Sequence, residues 1–294
     1  TIEEQILLLS KRGLSIHSEK DLAEWLECVS YYRLRGYTHP FQDPNGDHRF
    51  IRSLSQTDLR NRYEFDRRLR LLLIDGIDHI EVLLRTQLGL HMATTEGAHW
   101  YENRVLFRNQ AKHREDLLHI DREVKRASEV FLAHFFEKYD APNRPPSWMV
   151  LEVLSFGTIS KLFENLRQKQ EGKKAITRRF GFGAGGGDHL GSWLKSLVTM
   201  RNHCAHHARV IDRKLVHAPR YASLLHGNVW HREWPDSRKV YTILTIVGVI
   251  LETIPGGDDW KNQAVQLLRN PTGVSLDEMG VPKTWEEEPV WNRA

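Results

Sequence analysis

Apolar residues recur along most of this chain at steps of three and four, the period of an amphipathic helix. Thr1 and Glu4 have capping-box spacing and open a helix to about Lys11, which Gly13 stops. Ser18 caps a second helix with Leu22, Trp25, Leu26 and Val29 on its apolar face. A turn-rich stretch follows. The run Asp43-Pro44-Asn45-Gly46-Asp47 predicts a turn between two short strands, 37–42 and 48–52. The longest helical pattern extends from Ser55 to about Glu96, with Leu59, Leu69, Leu73, Ile77, Ile80, Leu84 and Leu88 in phase and Gly76 and Gly89 as bending points.

Residues 108–138 read as one or two helices broken near Ser128, and Pro142, Pro145 and Pro146 mark a linker. Ser147 then caps a helix, and Gly157 separates it from another through Leu162, Phe163 and Leu166. A glycine-rich stretch, 181–187, precedes a helix that Asp188 caps and that runs to about His206. Residues 217–235 read as loop, and helices at 236–254 and 258–269 follow. Few segments alternate with period two, so the class is mainly α, a helical bundle with at most a small β-hairpin. The apolar run from Val240 to Ile254 is shorter than the ~20 residues of a membrane span and carries Glu252, so it predicts a buried helix. The acidic start, Thr1 to Gln5, does not read as a secretory signal.

Composition narrows the classes. The 42 Lys+Arg and 38 Asp+Glu residues give 42 − 38 = +4, too small a surplus to announce a nucleic-acid binder by itself. With 40 % hydrophobic and 27 % charged residues, the chain is neither a disordered acidic protein nor a collagen. Cys28 and Cys204 cannot build a disulfide framework, and a cytoplasmic protein is the expectation. Charge distribution says more than the sum. Arg60, Arg62, Arg67, Arg68 and Arg70 crowd the start of the long helix, which reads either as a solvated face or as an RNA contact. The glycine-rich stretch lacks the Gly-Lys-Ser/Thr ending of a phosphate loop and reads as a loop.

The densest set of reactive side chains is Arg201-Asn202-His203-Cys204-Ala205-His206-His207, at the end of an amphipathic helix. Asn202 and His206 are four apart, about 40° round the helix, and share a face. Arg201 and His206 are five apart, about 140° round, so Arg201 must use its length or serve a site made with a second chain. Such a set suits RNA cleavage without a metal. An imidazole can take the proton of a ribose 2′-hydroxyl. A guanidinium can hold the phosphate and its growing charge. His203 and His207, at i and i+4, would alternatively suit two ligands of a zinc site, although no third ligand is obvious. The bland reading is that the cluster only caps the negative end of the helix.

The motif Arg201-Asn202-x-x-x-His206 resembles the signature of HEPN-superfamily ribonucleases. Over nearly its whole length the chain also resembles the Abi-like (abortive-infection, AbiD/AbiF-type) proteins. The matching blocks include Tyr31-Tyr32-Arg33-Leu34-x-Gly36-Tyr37, Tyr63-Glu64-Phe65-Asp66-Arg67-Arg68-Leu69-Arg70 and Ile80-Glu81-x-x-x-Arg85. They continue with Pro146-x-Trp148, Ser192-Trp193-Leu194, Arg201-Asn202-x-Cys204-Ala205-His206-His207-x-Arg209 and Met279-Gly280-x-Pro282. The resemblance implies a HEPN-type helical fold and a metal-independent endoribonuclease toxin of phage defence, working as a homodimer without a cofactor. A small noncoding RNA as regulator is part of the same implication, as are catalytic roles for Arg201 and His206 with Asn202 in support. It divides the chain into an N-terminal helical segment, 1–54, a HEPN-like core, 55–216, and a C-terminal extension, 217–294, within one compact unit. His207, Arg209 and Arg213, just past the motif, are candidates for RNA binding, as are Arg67 and Arg68. The last two, with Glu81, Arg85 and Glu152, read more readily as an ion-pair network between helices. Trp193 reads as core and Cys204 as a packing residue. A non-catalytic RNA-binding module is the competing function.

Overall fold

A computed structural model describes residues 1–43, 46–183, 185–221 and 237–292. The fold is mainly α, a helical bundle. Three helices open the chain: α1 (Ile2–Lys11), α2 (Glu19–Val29) and α3 (Tyr31–Thr38). Thr1 and Glu4 form the capping box of α1, and Ser18 caps α2. The end of α3 and a 3-10 turn, His39–Phe41, take the place of the first expected strand. Ser30 adopts φ +68, which ends α2, and its hydroxyl accepts from Arg33 N to start α3. Leu34, Tyr37 and Thr38 then bury at helical spacing. Of the expected hairpin only one antiparallel bridge remains, Gln42 to Phe50. Its turn residues Pro44 and Asn45 lie outside the described residues. The regular strand pair is instead parallel, with β1 (Leu14–Ser15) beside β2 (Leu54–Ser55).

Ser55 and Asp58 make the capping box of α4 (Gln56–Gln87), which continues through a π-helical turn, Leu88–Met92, into α5 (Ala93–Glu96). Gly76 does not interrupt α4. A Cβ there would lie 2.5 Å from Val247 Cγ1 and 2.6 Å from Trp260 Nε1, so the glycine lets two later helices approach. The other expected bending point, Gly89, lies in the π turn. Next come α6 (Gln110–Arg126), α7 (Val130–Lys138), α8 (Ser147–Val153), α9 (Phe156–Asn165) and α10 (Glu171–Arg179). Ser147 is the first residue of α8 rather than its cap, whereas Ser155 caps α9.

Helix α11 (Gly187–Ala205) packs against α9 and α4. Its N-cap is Gly186; Asp188, expected as the cap, instead accepts from Arg108 and Gln168. The expected loop 217–235 falls mostly outside the described residues, as does the start of the helix expected from 236. That helix is α12 (Val240–Leu251), every residue of which is buried, and it packs on α4. Helix α13 (Gly257–Arg269) also packs on α4, and α14 (Leu276–Met279) and α15 (Pro289–Asn292) close the described chain. Among the described residues no helix is long and apolar enough to cross a membrane.

One buried cation has a measurable consequence. Lys173 is 1 % exposed, and its ammonium donates to the carbonyls of Leu166, at 2.8 Å, and Glu164, at 3.3 Å. Burial first, and then the positive Arg108, lower it from its ordinary value of 10.5 to about 7. Between those values the unfolded chain binds more protons than the folded one, so stability rises with pH. Raising the pH from 7 to 9 should therefore stabilise the protein by about 2 kcal/mol through this group. Urea titrations at both pH values check it, and Lys173→Met should lack that increment.

Candidate functional site

The reactive cluster lies where α11 ends. His206 is its C-cap: the His206 N–H donates to Asn202 O at 3.0 Å, which keeps the two residues one turn apart. The chain then reverses. His207 N donates to Cys204 O at 3.0 Å and Ala208 N to His203 O at 2.8 Å, the paired bonds of a Schellman motif. The left-handed position of that motif usually takes glycine, but here it holds His207 at φ +56. A side chain in this region costs on the order of 1–3 kcal/mol, so surrounding contacts must hold it. Arg33 supplies one, its Nη1 donating to the His207 carbonyl at 2.6 Å from the first turn of α3.

The segment after the motif is fixed from below. Asp66 on α4 is fully buried and accepts from Val210 N at 2.9 Å, Ile211 N at 3.0 Å and the Tyr37 hydroxyl at 2.8 Å. Arg70, one turn further along α4, pairs with the same carboxylate. Burial pushes the Asp66 carboxyl above the usual carboxylate range, against the pull of Arg70 and the two backbone N–H groups. One carboxylate thus ties α3, α4 and the chain that leaves α11.

Above this tie lies a pocket of about 390 Å³, lined among others by Tyr32, Arg33, His206, His207, Arg209 and Arg213. Arg209 lies over the Tyr37 ring, 5.9 Å from its centroid, and pairs with Asp212 at 2.7 Å. Arg213 donates from Nε to Arg209 O at 2.9 Å. Among the described residues neither Arg33 nor Arg213 forms an ion pair with a carboxylate. The pocket is therefore cationic and suited to an anion. Burial, and then the positive charge of Arg213, hold the His203 imidazole below its usual range. Cys204 is buried and its thiol is pushed up to about 12 by burial, so it packs and is no nucleophile.

Not every candidate reaches this pocket. Asn202 is exposed, but neither it nor Arg201 lines the pocket. Arg201 turns its guanidinium toward Glu81, at 3.8 Å, and keeps 43 % of its side chain exposed. Glu81 also holds Arg85, which donates in turn to the Leu151 carbonyl. That is the expected link between helices, but Glu152 is exposed and forms no ion pair among the described residues. Arg67 is exposed and faces Glu64 at 3.8 Å, whereas Arg68 donates to Thr272 Oγ1 at 3.0 Å and lines a different pocket, between α4 and α13. The i, i+4 register of His203 and His207 is lost because the helix ends between them. Among the described residues no group of three or more His, Cys, Asp or Glu could hold a metal ion. Trp193 is core; its indole N–H donates to Arg220 O at 2.9 Å. Arg33 and Tyr32 line the pocket beside His206, although the sequence alone does not single them out. Their block was visible, but 174 residues separate Arg33 from its partner His207.

The family described as Abi-like protein matches residues 24–212, from α2 to just past the Schellman turn. No curated protein and no solved structure matches the chain.

Proposed function

The chain belongs to the Abi-like protein family, and from that premise and the pocket beside His206 we propose that it is a metal-independent endoribonuclease of the HEPN superfamily. Its role is that of a toxin in abortive-infection phage defence. The observation that carries the reading is an exposed imidazole, His206, at the rim of a pocket that also holds Arg33, Arg209 and Arg213. His206 takes the proton of a ribose 2′-hydroxyl. The 2′-oxygen then bonds to the adjacent phosphorus, and the bond to the 5′-oxygen breaks. That leaving oxygen receives a proton, which gives 2′,3′-cyclic phosphate and 5′-hydroxyl ends. The guanidiniums stabilise the charge that grows on the phosphate oxygens. Asn202, one turn before His206, orients the imidazole or the phosphate. Arg201 lies outside this pocket in a single chain, which favours a homodimer whose second copy completes the site and whose own His206 supplies the acid. Regulation by a small noncoding RNA and a cytoplasmic location complete the proposal.

The test is a cleavage gel with purified protein in excess chelator. Cleavage should persist, and the new 5′ ends should accept phosphate from a polynucleotide kinase without prior dephosphorylation. Loss of all cleavage in chelator would refute the metal-independent mechanism. The second reading, a non-catalytic RNA-binding module, draws on the same cationic pocket and on Arg201 lying apart from it. It predicts salt-sensitive binding with no cleavage.

A further inference from the structure

Tyr32 is 84 % exposed, the most exposed large aromatic ring among the described residues. It borders the cationic pocket, beside Arg33, in the first turn of α3. Val130 is nearly as exposed at 82 %, but does not line this pocket. What sets Tyr32 apart is the company it keeps. Arg33 spends one N–H on the His207 carbonyl, leaving the rest of its fork without a carboxylate partner among the described residues. Arg213 lines the same pocket, also without a carboxylate partner among the described residues.

A π face beside two uncompensated guanidiniums is the chemistry that holds one unstacked nucleotide: base on the ring, phosphate on the cations. A paired base offers no free face, so the occupant is single-stranded. We infer that Tyr32, Arg33 and Arg213 form a subsite for the nucleotide next to the scissile phosphate of single-stranded RNA. Tyr32 stacks its base and the two guanidiniums take the scissile phosphate attached to it. This rests on His206 as the RNA-cleaving group and extends the site into the N-terminal segment. Arg33 then has two tasks, since the guanidinium that meets the phosphate also holds the backbone one residue beyond His206.

The test is binding of a short, fully 2′-O-methylated single-stranded RNA, which cannot be cleaved by 2′-hydroxyl attack. Tyr32→Ala should weaken binding about 10-fold and Tyr32→Phe should restore it, because stacking uses the ring and not the hydroxyl. The plot of log affinity against log salt should flatten by about 0.7 in Arg33→Ala and keep its slope in Arg33→Lys. Arg213→Ala should flatten it likewise, which covers the case that Arg33→Ala fails to fold. A duplex of the same sequence should bind at least about 10-fold more weakly. Wild-type binding by Tyr32→Ala together with an unchanged salt slope in the folded arginine variants would overturn the subsite; equal affinity for the duplex would overturn stacking. The two readings fail separately. If wild-type protein cleaves no RNA yet these variants lose binding, the subsite stands without the nuclease. If it cleaves and the variants bind normally, the nuclease stands without the subsite.

Discussion

His206→Ala should reduce RNA cleavage by roughly 10²–10⁴-fold, the usual contribution of a positioned acid–base group. The substitution removes an exposed side chain at a helix cap whose backbone bonds, His206 N to Asn202 O among them, need no imidazole. Thermal midpoint and helix content should therefore stay close to wild type while activity falls. Arg201→Ala should cost roughly 10²–10³-fold, the scale of one lost donor to the transition-state phosphate. Here the structure adds a control. Arg201 approaches Glu81 at 3.8 Å, and Glu81 also pairs with Arg85. If Arg201 serves only that ion pair, Arg201→Ala changes stability slightly and cleavage hardly at all. A mixing experiment tests the shared site. If each site needs His206 from both copies, equal parts of wild type and His206→Ala, allowed to exchange, should show roughly a quarter of wild-type activity. Independent single-chain sites would give roughly a half.

How much of this was legible in the sequence follows the range of the forces involved. The long helix could be read from Ser55 onward because its cap and its apolar period are local signals. The π turn at Leu88–Met92 could not, since it is a defect in hydrogen bonding that a near-helical apolar period does not report. Helix α3 was hidden in a turn-rich reading: Gly36 and Thr38 are poor helix formers, and the burial of Tyr37 against Asp66 overrides them. The cluster 201–207 stood out as a run of reactive residues, but its final geometry depends on a reversal that puts a histidine where glycine is usual. The pocket itself was the least legible part. It is made by α3, by the chain after α11 and by a carboxylate on α4, and only the fold brings these together. Arg67 and Arg68 show the opposite case, a dense run that does not converge on the pocket beside His206. They are dense in sequence, yet the helix carries Arg68 to a groove of its own and turns Arg67 to solvent.

Asp66→Ala should be among the most damaging single substitutions in the protein. It is expected to cost about 3–5 kcal/mol, the range for breaking a buried charge pair from one side. The carboxylate receives the Val210 and Ile211 N–H groups, the Tyr37 hydroxyl and Arg70. Alanine would leave all of these donors buried without it, and Arg70 would keep a charge with little water to stabilise it. The midpoint of thermal unfolding should drop on the order of 10 °C. Asp66→Asn should be milder, because the amide oxygen can still accept, but its NH₂ faces donors and its neutrality leaves Arg70 uncompensated. The two variants separate support of the site from support of the fold. Below its melting range Asp66→Asn should still be folded by circular dichroism, yet cleave RNA more slowly, because a neutral amide oxygen holds the segment that carries Arg209 and Arg213 less firmly than the carboxylate. Arg70→Met tests the charge alone, since it removes the cation and leaves the two backbone donors and Tyr37 on the carboxylate. It should destabilise less than Asp66→Ala while keeping residues 210–211 in place, so its cleavage at low temperature should stay nearer to wild type than that of Asp66→Asn. Equal stability of wild type and Asp66→Ala in urea titrations would show that the anchor is not Asp66, and the pocket above it would need another support.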